Sequence, residues 1–209
     1  MKKTAIYGLL GSLLLAGGVL LFSAGRSAKP STLTEYKVWF GNPDNGFLKE
    51  RTVKNIRYSV QHRPAELMLL NELKAMPQAT SATVQSLKES YGNSEYFLLQ
   101  FGPNGEGPQQ GDLLKNLANN IEDHAELYRD LAFDINTRVR LVVAGDTLEP
   151  TLSHYEQGYE LSANQRFLFA FPTGDRSTED MTFIYDDQLL EAGRLKFRFQ
   201  ENTIPTLPI

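Results

Sequence analysis

The closing third of the chain alternates. In Gly193–Gln200, GRLKFRFQ, Leu195, Phe197 and Phe199 fall on one side while Arg194, Lys196 and Arg198 fall on the other. A period of two sends successive side chains to opposite faces of a strand, and it cannot gather an apolar stripe on a helix. RVRLVVAG, TLEPTLSHYEQ, QRFLFAFP and DMTFIYDD precede it at short intervals, with a tight turn at Ala144-Gly145-Asp146. Such runs predict an antiparallel sheet.

The earlier part mixes periods. EYKVWFGN (Glu35–Asn42) is aromatic and alternating and reads as a strand, followed by a turn at Pro43–Gly46. FLKERTVKNIRYSVQHR reads as a hairpin whose second arm carries Ile56, Tyr58, Val60 and His62 on one face and Arg57, Ser59, Gln61 and Arg63 on the other. Pro64 opens a helix over Pro64–Met76, with Ala65, Met68, Leu69, Leu73 and Met76 at helical spacing and Pro77 as its stop. A second helix, capped by Ser81, runs to Tyr91, with Gly92 just beyond it. SEYFLLQF (Ser94–Phe101) is nearly continuously apolar and predicts a central strand. After the loop Gly102–Gly111, Asp112 caps a helix lined by Leu113, Leu117, Ile121, His124 or Ala125, Tyr128 and Leu131. The order predicts an α+β fold over residues 35–209: a mainly antiparallel β domain, or a β-sandwich, carrying a helical insertion. It lacks the strand–helix alternation of a doubly wound parallel sheet.

The first 25 residues belong to a different regime. Lys2 and Lys3 precede an uncharged run from Thr4 to Gly25, and 22 uncharged residues are enough to span a bilayer as a helix. Two readings stand side by side. A signal peptide would be cut near Ser23-Ala24-Gly25, where small residues flank the site; an uncleaved transmembrane anchor would keep membrane contact through residues 4–25. Both leave the lysines inside and export the rest, to the periplasm or to the outer side of the membrane. Leu15-Ala16-Gly17 is followed by Gly18, where a bacterial lipoprotein carries its lipidated cysteine, so no diacyl lipid can be attached. Residues 26–34, RSAKPSTLT, read as a linker.

Composition removes several chemistries. Apolar residues make up 41% and charged residues 22%, which places the chain among globular proteins rather than disordered ones. With no cysteine, disulfides, thiolate catalysis and Cys-ligated metal are excluded. The formal charge is −4; without Lys2 and Lys3, 19 basic residues face 25 acidic ones, giving −6, which speaks against nucleic acid as a partner.

The remaining candidates are few. His62 and Glu66 sit at the strand-to-helix joint, about one helical turn apart, and an imidazole beside a carboxylate is a general-base arrangement. The plainer reading has His62 closing a strand face and Glu66 in a first helical turn that favours negative charge. His62, His124 and His154 are the only histidines, and no His pair has metal-binding spacing. Gly102–Gly111 joins a strand to a helix but lacks G-K-[ST] and G-x-G-x-x-G, and Asp112 stands where a phosphate would bind. Asp175, Glu179, Asp180, Asp186, Asp187 and Glu191 are crowded enough for calcium but lack EF-hand spacing. There is no G-x-S-x-G elbow and no S-x-x-K. These readings assign no catalytic, cofactor-binding or metal residues and no cofactor.

VQHRPAELMLL and TFIYDDQLLEAGRLKFRF, with the leader, resemble the small uncharacterised exported proteins of Gram-negative envelopes. That resemblance implies a leader and one β-rich domain, and no activity. The resulting expectation is a non-enzymatic exported envelope protein that binds another protein or an envelope component. The alternatives are an exported hydrolase using His62 and Glu66, and an accessory subunit of a membrane complex held by the N-terminal helix.

Overall fold

The computed structural model describes residues 29–76, 78–105, 113–156, 163–174 and 179–208. The expected leader (residues 1–25), residues 26–28 of the linker, Pro77, residues 106–111 of the Gly102–Gly111 loop, Asp112 and Asp175 lie outside these residues. Among the described residues, no helix is long and apolar enough to cross a membrane.

The fold is α+β, with helices and two antiparallel sheets. The first sheet contains β1 (Leu48–Val53), β2 (Ile56–Arg63), β3 (Ser94–Pro103), β6 (Leu152–Tyr155) and β7 (Gln165–Pro172), in the order β1-β2-β3-β7-β6. The second contains β4 (Val139–Val143), β5 (Asp146–Leu148), β8 (Met181–Asp187) and β9 (Gly193–Phe199), in the order β5-β4-β8-β9. Lys54 and Asn55, both at positive φ, make the tight β1–β2 turn, and Ala144 and Gly145 do the same between β4 and β5. TLEPTLSHYEQ is two strands, not one: β5 pairs with β4, and past Pro150 the chain crosses to the other sheet as β6. Proline has no N–H to give a ladder, so the pairing breaks there.

The sheets pack face to face through their alternating aromatic sides. Phe97 of β3 meets Phe183 of β8 at 5.4 Å between ring centroids and Phe199 of β9 at 5.4 Å, while Phe101 stacks on Tyr185 at 5.8 Å. Leu195, Phe197 and Phe199 are buried and Arg194, Lys196 and Arg198 are exposed, as the alternation predicts. One polar link crosses this core: the Tyr58 hydroxyl donates to Asp187 at 2.7 Å, and Asp187 also accepts the Leu190 and Ala192 amides at 3.1 Å. Burial and that bond hold the Tyr58 phenol well above its ordinary pKa.

The helices depart from the sequence reading in informative ways. Glu35–Asn42 is not a strand; α1 spans Leu33–Phe40 and takes in the end of the 26–34 linker. Thr32 caps it by accepting the Glu35 amide at 3.1 Å, and Tyr36 and Phe40, four apart, are its buried pair. The T-x-x-E start and the i, i+4 aromatic spacing outweigh the apparent alternation. The Pro64–Met76 helix is broken at Leu69 into α2 (Ala65–Met68) and α3 (Leu70–Ala75), with Pro64 as an extended N-cap. Leu69 and Leu73 are buried as expected, whereas Met76 is largely exposed. Helix α4 (Ser81–Tyr91) is capped by Thr80 rather than Ser81, and Gly92 keeps right-handed backbone. The helix predicted after Asp112 is two, α5 (Leu113–Leu117) and α6 (Ile121–Phe133), because Asn120 caps a new start by accepting the Asp123 amide at 2.8 Å. The break turns Ile121 out of the expected stripe, leaving it 78% exposed.

Two cores result. The larger lies between the sheets and includes Leu113, Leu114 and Leu131 of α5 and α6. The smaller joins α1 to α4 with Phe47 and Leu207.

Candidate functional site

His62 sits where the two cores meet. Strand alternation turns it inward beside Val60, and the β2–β3 register sets it opposite Phe97. Its ring stacks on Phe97 at 5.0 Å, from the sheet core, and on Phe47 at 5.6 Å, from the helical core, with Phe199 edge-on at 6.1 Å. It is 8% exposed. The imidazole Nε2 lies 2.5 Å from the Glu95 carboxylate, which is equally buried. A polar group taken this far from water needs a partner, and each is the other's.

Glu66 does not complete this pair. It lies in the first turn of α2, and its carboxylate takes the Lys88 ammonium of α4 at 2.5 Å. The structure therefore brings His62 and Glu66 to one cavity and bonds each elsewhere.

That cavity measures about 320 Å³. His62, Glu95, Glu66 and Lys88 line it, with Tyr91 and Ser94 on one wall and Glu179, Gln200, Glu201 and Asn202 on another. Four carboxylates against one ammonium make it acidic. Tyr91 donates its hydroxyl to Glu72, and this bond, with some burial, pushes its pKa up to about 12. Burial and the negative charge of Glu66 raise Tyr36 in the same direction.

Sequence reasoning passed over Glu95, Lys88 and Glu201, and it placed Glu179 only in an acidic cluster considered for calcium. Glu95 did leave a signal: it is the one charge in the nearly continuous apolar run Ser94–Phe101. Its partner could not be read, because β2 and β3 are brought together only by sheet pairing across 33 residues.

The other candidates scatter. Asp187 is buried in the sheet core, Asp186 pairs with Arg194, Glu191 pairs with Lys54, and Asp180 accepts the Glu201 amide. Among the described residues, no group of three His, Asp or Glu side chains could hold a metal ion. His124 lies on α6 and His154 on β6, in separate parts of the fold from His62.

Comparison of the chain with protein-family models, with curated proteins and with solved structures finds no match. The fold and site by themselves define a two-sheet α+β protein with an acidic cleft floored by a His–Glu pair.

Proposed function

We propose that the chain is a non-enzymatic exported envelope protein whose folded part binds another protein or an envelope component. The observation that carries this reading is the commitment of His62. Its ring is clasped by Phe47 and Phe97 and its Nε2 is held by Glu95, so the side chain joins two cores rather than serving a substrate. The charged leader start and the uncharged run of residues 4–25 support export.

Capture from native envelopes tests it: the full chain, cross-linked in place, yields one stoichiometric protein or glycan partner. Recovery of no specific envelope component counts against binding. Mass spectrometry of the mature N-terminus tests the related idea of a membrane-complex subunit, and a chain starting near Arg26 removes the anchor that idea needs.

A second reading, an exported hydrolase, draws on the His62–Glu95 pair lining a cavity, rather than on His62 and Glu66. Turnover of an ester, peptide or glycosidic substrate that disappears in His62→Gln, with the melting temperature retained, would replace the binding reading.

A further inference from the structure

A second cavity, of about 440 Å³, lies on the other side of the segment 200–202, whose Gln200 and Asn202 line both. Its lining is of a different kind. Trp39 and Pro43 supply flat apolar rings, and Trp39 is only half-buried although it packs on Phe40 and Phe47. Gln200, Asn202 and Thr203 add groups that both donate and accept hydrogen bonds. Asn45 completes the set. It is 7% exposed, its Nδ2 donates to the Trp39 carbonyl at 2.7 Å, and its Oδ1 meets no protein donor. A buried acceptor left without a partner calls for an explanation, because such groups are nearly always satisfied.

The backbone fixes these groups in place. Gly46 has a φ of +85°, and a Cβ there would stand 2.6 Å from the Asn202 carboxamide nitrogen. Glycine suits this left-handed backbone, where a side chain would be strained and would push the Asn202 carboxamide aside. Lys29 and Lys49 line the cavity with a single carboxylate, Asp44, so its net charge is positive where the neighbouring one is negative.

We propose that this cavity is a subsite for an acidic saccharide, a sugar ring bearing a carboxylate. A sugar offers one apolar C–H face, which suits the Trp39 and Pro43 rings, and a rim of hydroxyls, which suits the amide groups. The two ammonium groups select the acidic sugar over a neutral one and oppose a cationic ligand. This deepens the binding reading above, on which it rests, by naming the envelope chemistry. The sugar could be free or carried by a lipid. An anchor ending at Gly25 would keep Lys29 within about 14 Å of the bilayer, four residues at full extension.

The chain's single tryptophan is Trp39, so fluorescence excited beyond the absorption of the nine tyrosines comes from a residue lining this cavity. The full-length protein in detergent micelles is titrated with a uronic-acid oligosaccharide, a neutral gluco-oligosaccharide and inorganic phosphate. A saturable response to the uronate, at least tenfold tighter than to the neutral oligomer and not reproduced by phosphate, is expected. Lys49→Ala and Asn45→Ala each weaken it at least fivefold. Lys49 is part-exposed, so its variant keeps the test open if Asn45→Ala fails to fold. Vesicles with and without a uronosyl glycolipid separate the sources: a response confined to glycolipid vesicles assigns a lipid-borne sugar, and one to the free oligomer assigns a soluble glycan. No saturable response to either, or equal affinity in Lys49→Ala, overturns the subsite. Envelope capture of a protein partner alongside that negative result would leave the broader binding reading standing, whereas failure of both would remove both.

Discussion

Two cavities share the wall formed by Gln200 and Asn202, and they are built on opposite terms. The acidic one is floored by a finished bond, His62 to Glu95, and flanked by another, Glu66 to Lys88. The basic one is lined by an asparagine whose covered Oδ1 has no protein donor and by a half-buried indole. Histidine and glutamate are the residues that chemistry-minded reading selects, yet here they are the ones the fold has used up. The lesson is that residue type nominates a site and the state of its hydrogen bonds decides it.

Several measurements can break or sharpen that contrast. The largest effect belongs to Glu95→Ala, which leaves His62 buried without its partner and should lower unfolding stability by about 3 kcal/mol in a denaturant titration. Glu95→Gln keeps the side chain's shape and an acceptor and should recover most of that loss; equal losses would mean that packing contributes nothing and the charged carboxylate everything. In the basic cavity, Asn45→Ala removes only the bond to the Trp39 carbonyl and should cost about 1 kcal/mol. A loss as large as that of Glu95→Ala would dissolve the distinction between the two cavities. Lys88→Ala breaks a part-exposed ion pair and should cost about 0.5 kcal/mol, shrinking with added salt.

The smallest effect is a pH slope on the acidic side. Tyr91 is raised from 10 to about 12 in the folded protein, so the unfolded chain gives up this proton first as pH rises. Its contribution is intact below pH 10 and is lost between pH 10 and 12. Thermal melts across that window should fall more steeply in the native protein than in Tyr91→Phe. Identical slopes would show that the Tyr91–Glu72 bond does not hold the proton.

The sheets were largely legible because their signal is local. Phe197 and Arg198 declare a face from their own neighbours, and β2, β4, β7, β8 and β9 fall where alternation puts them, whereas TLEPTLSHYEQ divides at Pro150 between the two sheets. The helical layer was less so. Tyr-Lys-Val-Trp-Phe at 36–40 satisfies both periods, and only the Thr32 cap and the four-residue step from Tyr36 to Phe40 separate helix from strand. Asn120 broke a predicted helix because its cap competes with continuing the apolar stripe. The sites were least legible of all. His62 meets Glu95 by strand pairing, and Gly46 meets Asn202 only after the chain returns from the second sheet, so neither contact has a signature in nearby sequence.

The clasp over α1 has a mechanical consequence. The Tyr36 hydroxyl donates to the Pro205 carbonyl at 3.0 Å, and Leu207 packs into the same small core, so the segment after β9 is strapped across α1, the first helix among the described residues. Tension arriving through residues 29–32 would load that strap and α1 before it reached any ladder of the two sheets. The helical layer would then give way before the two sheets, and Trp39, carried on α1, would dim or shift as it let go.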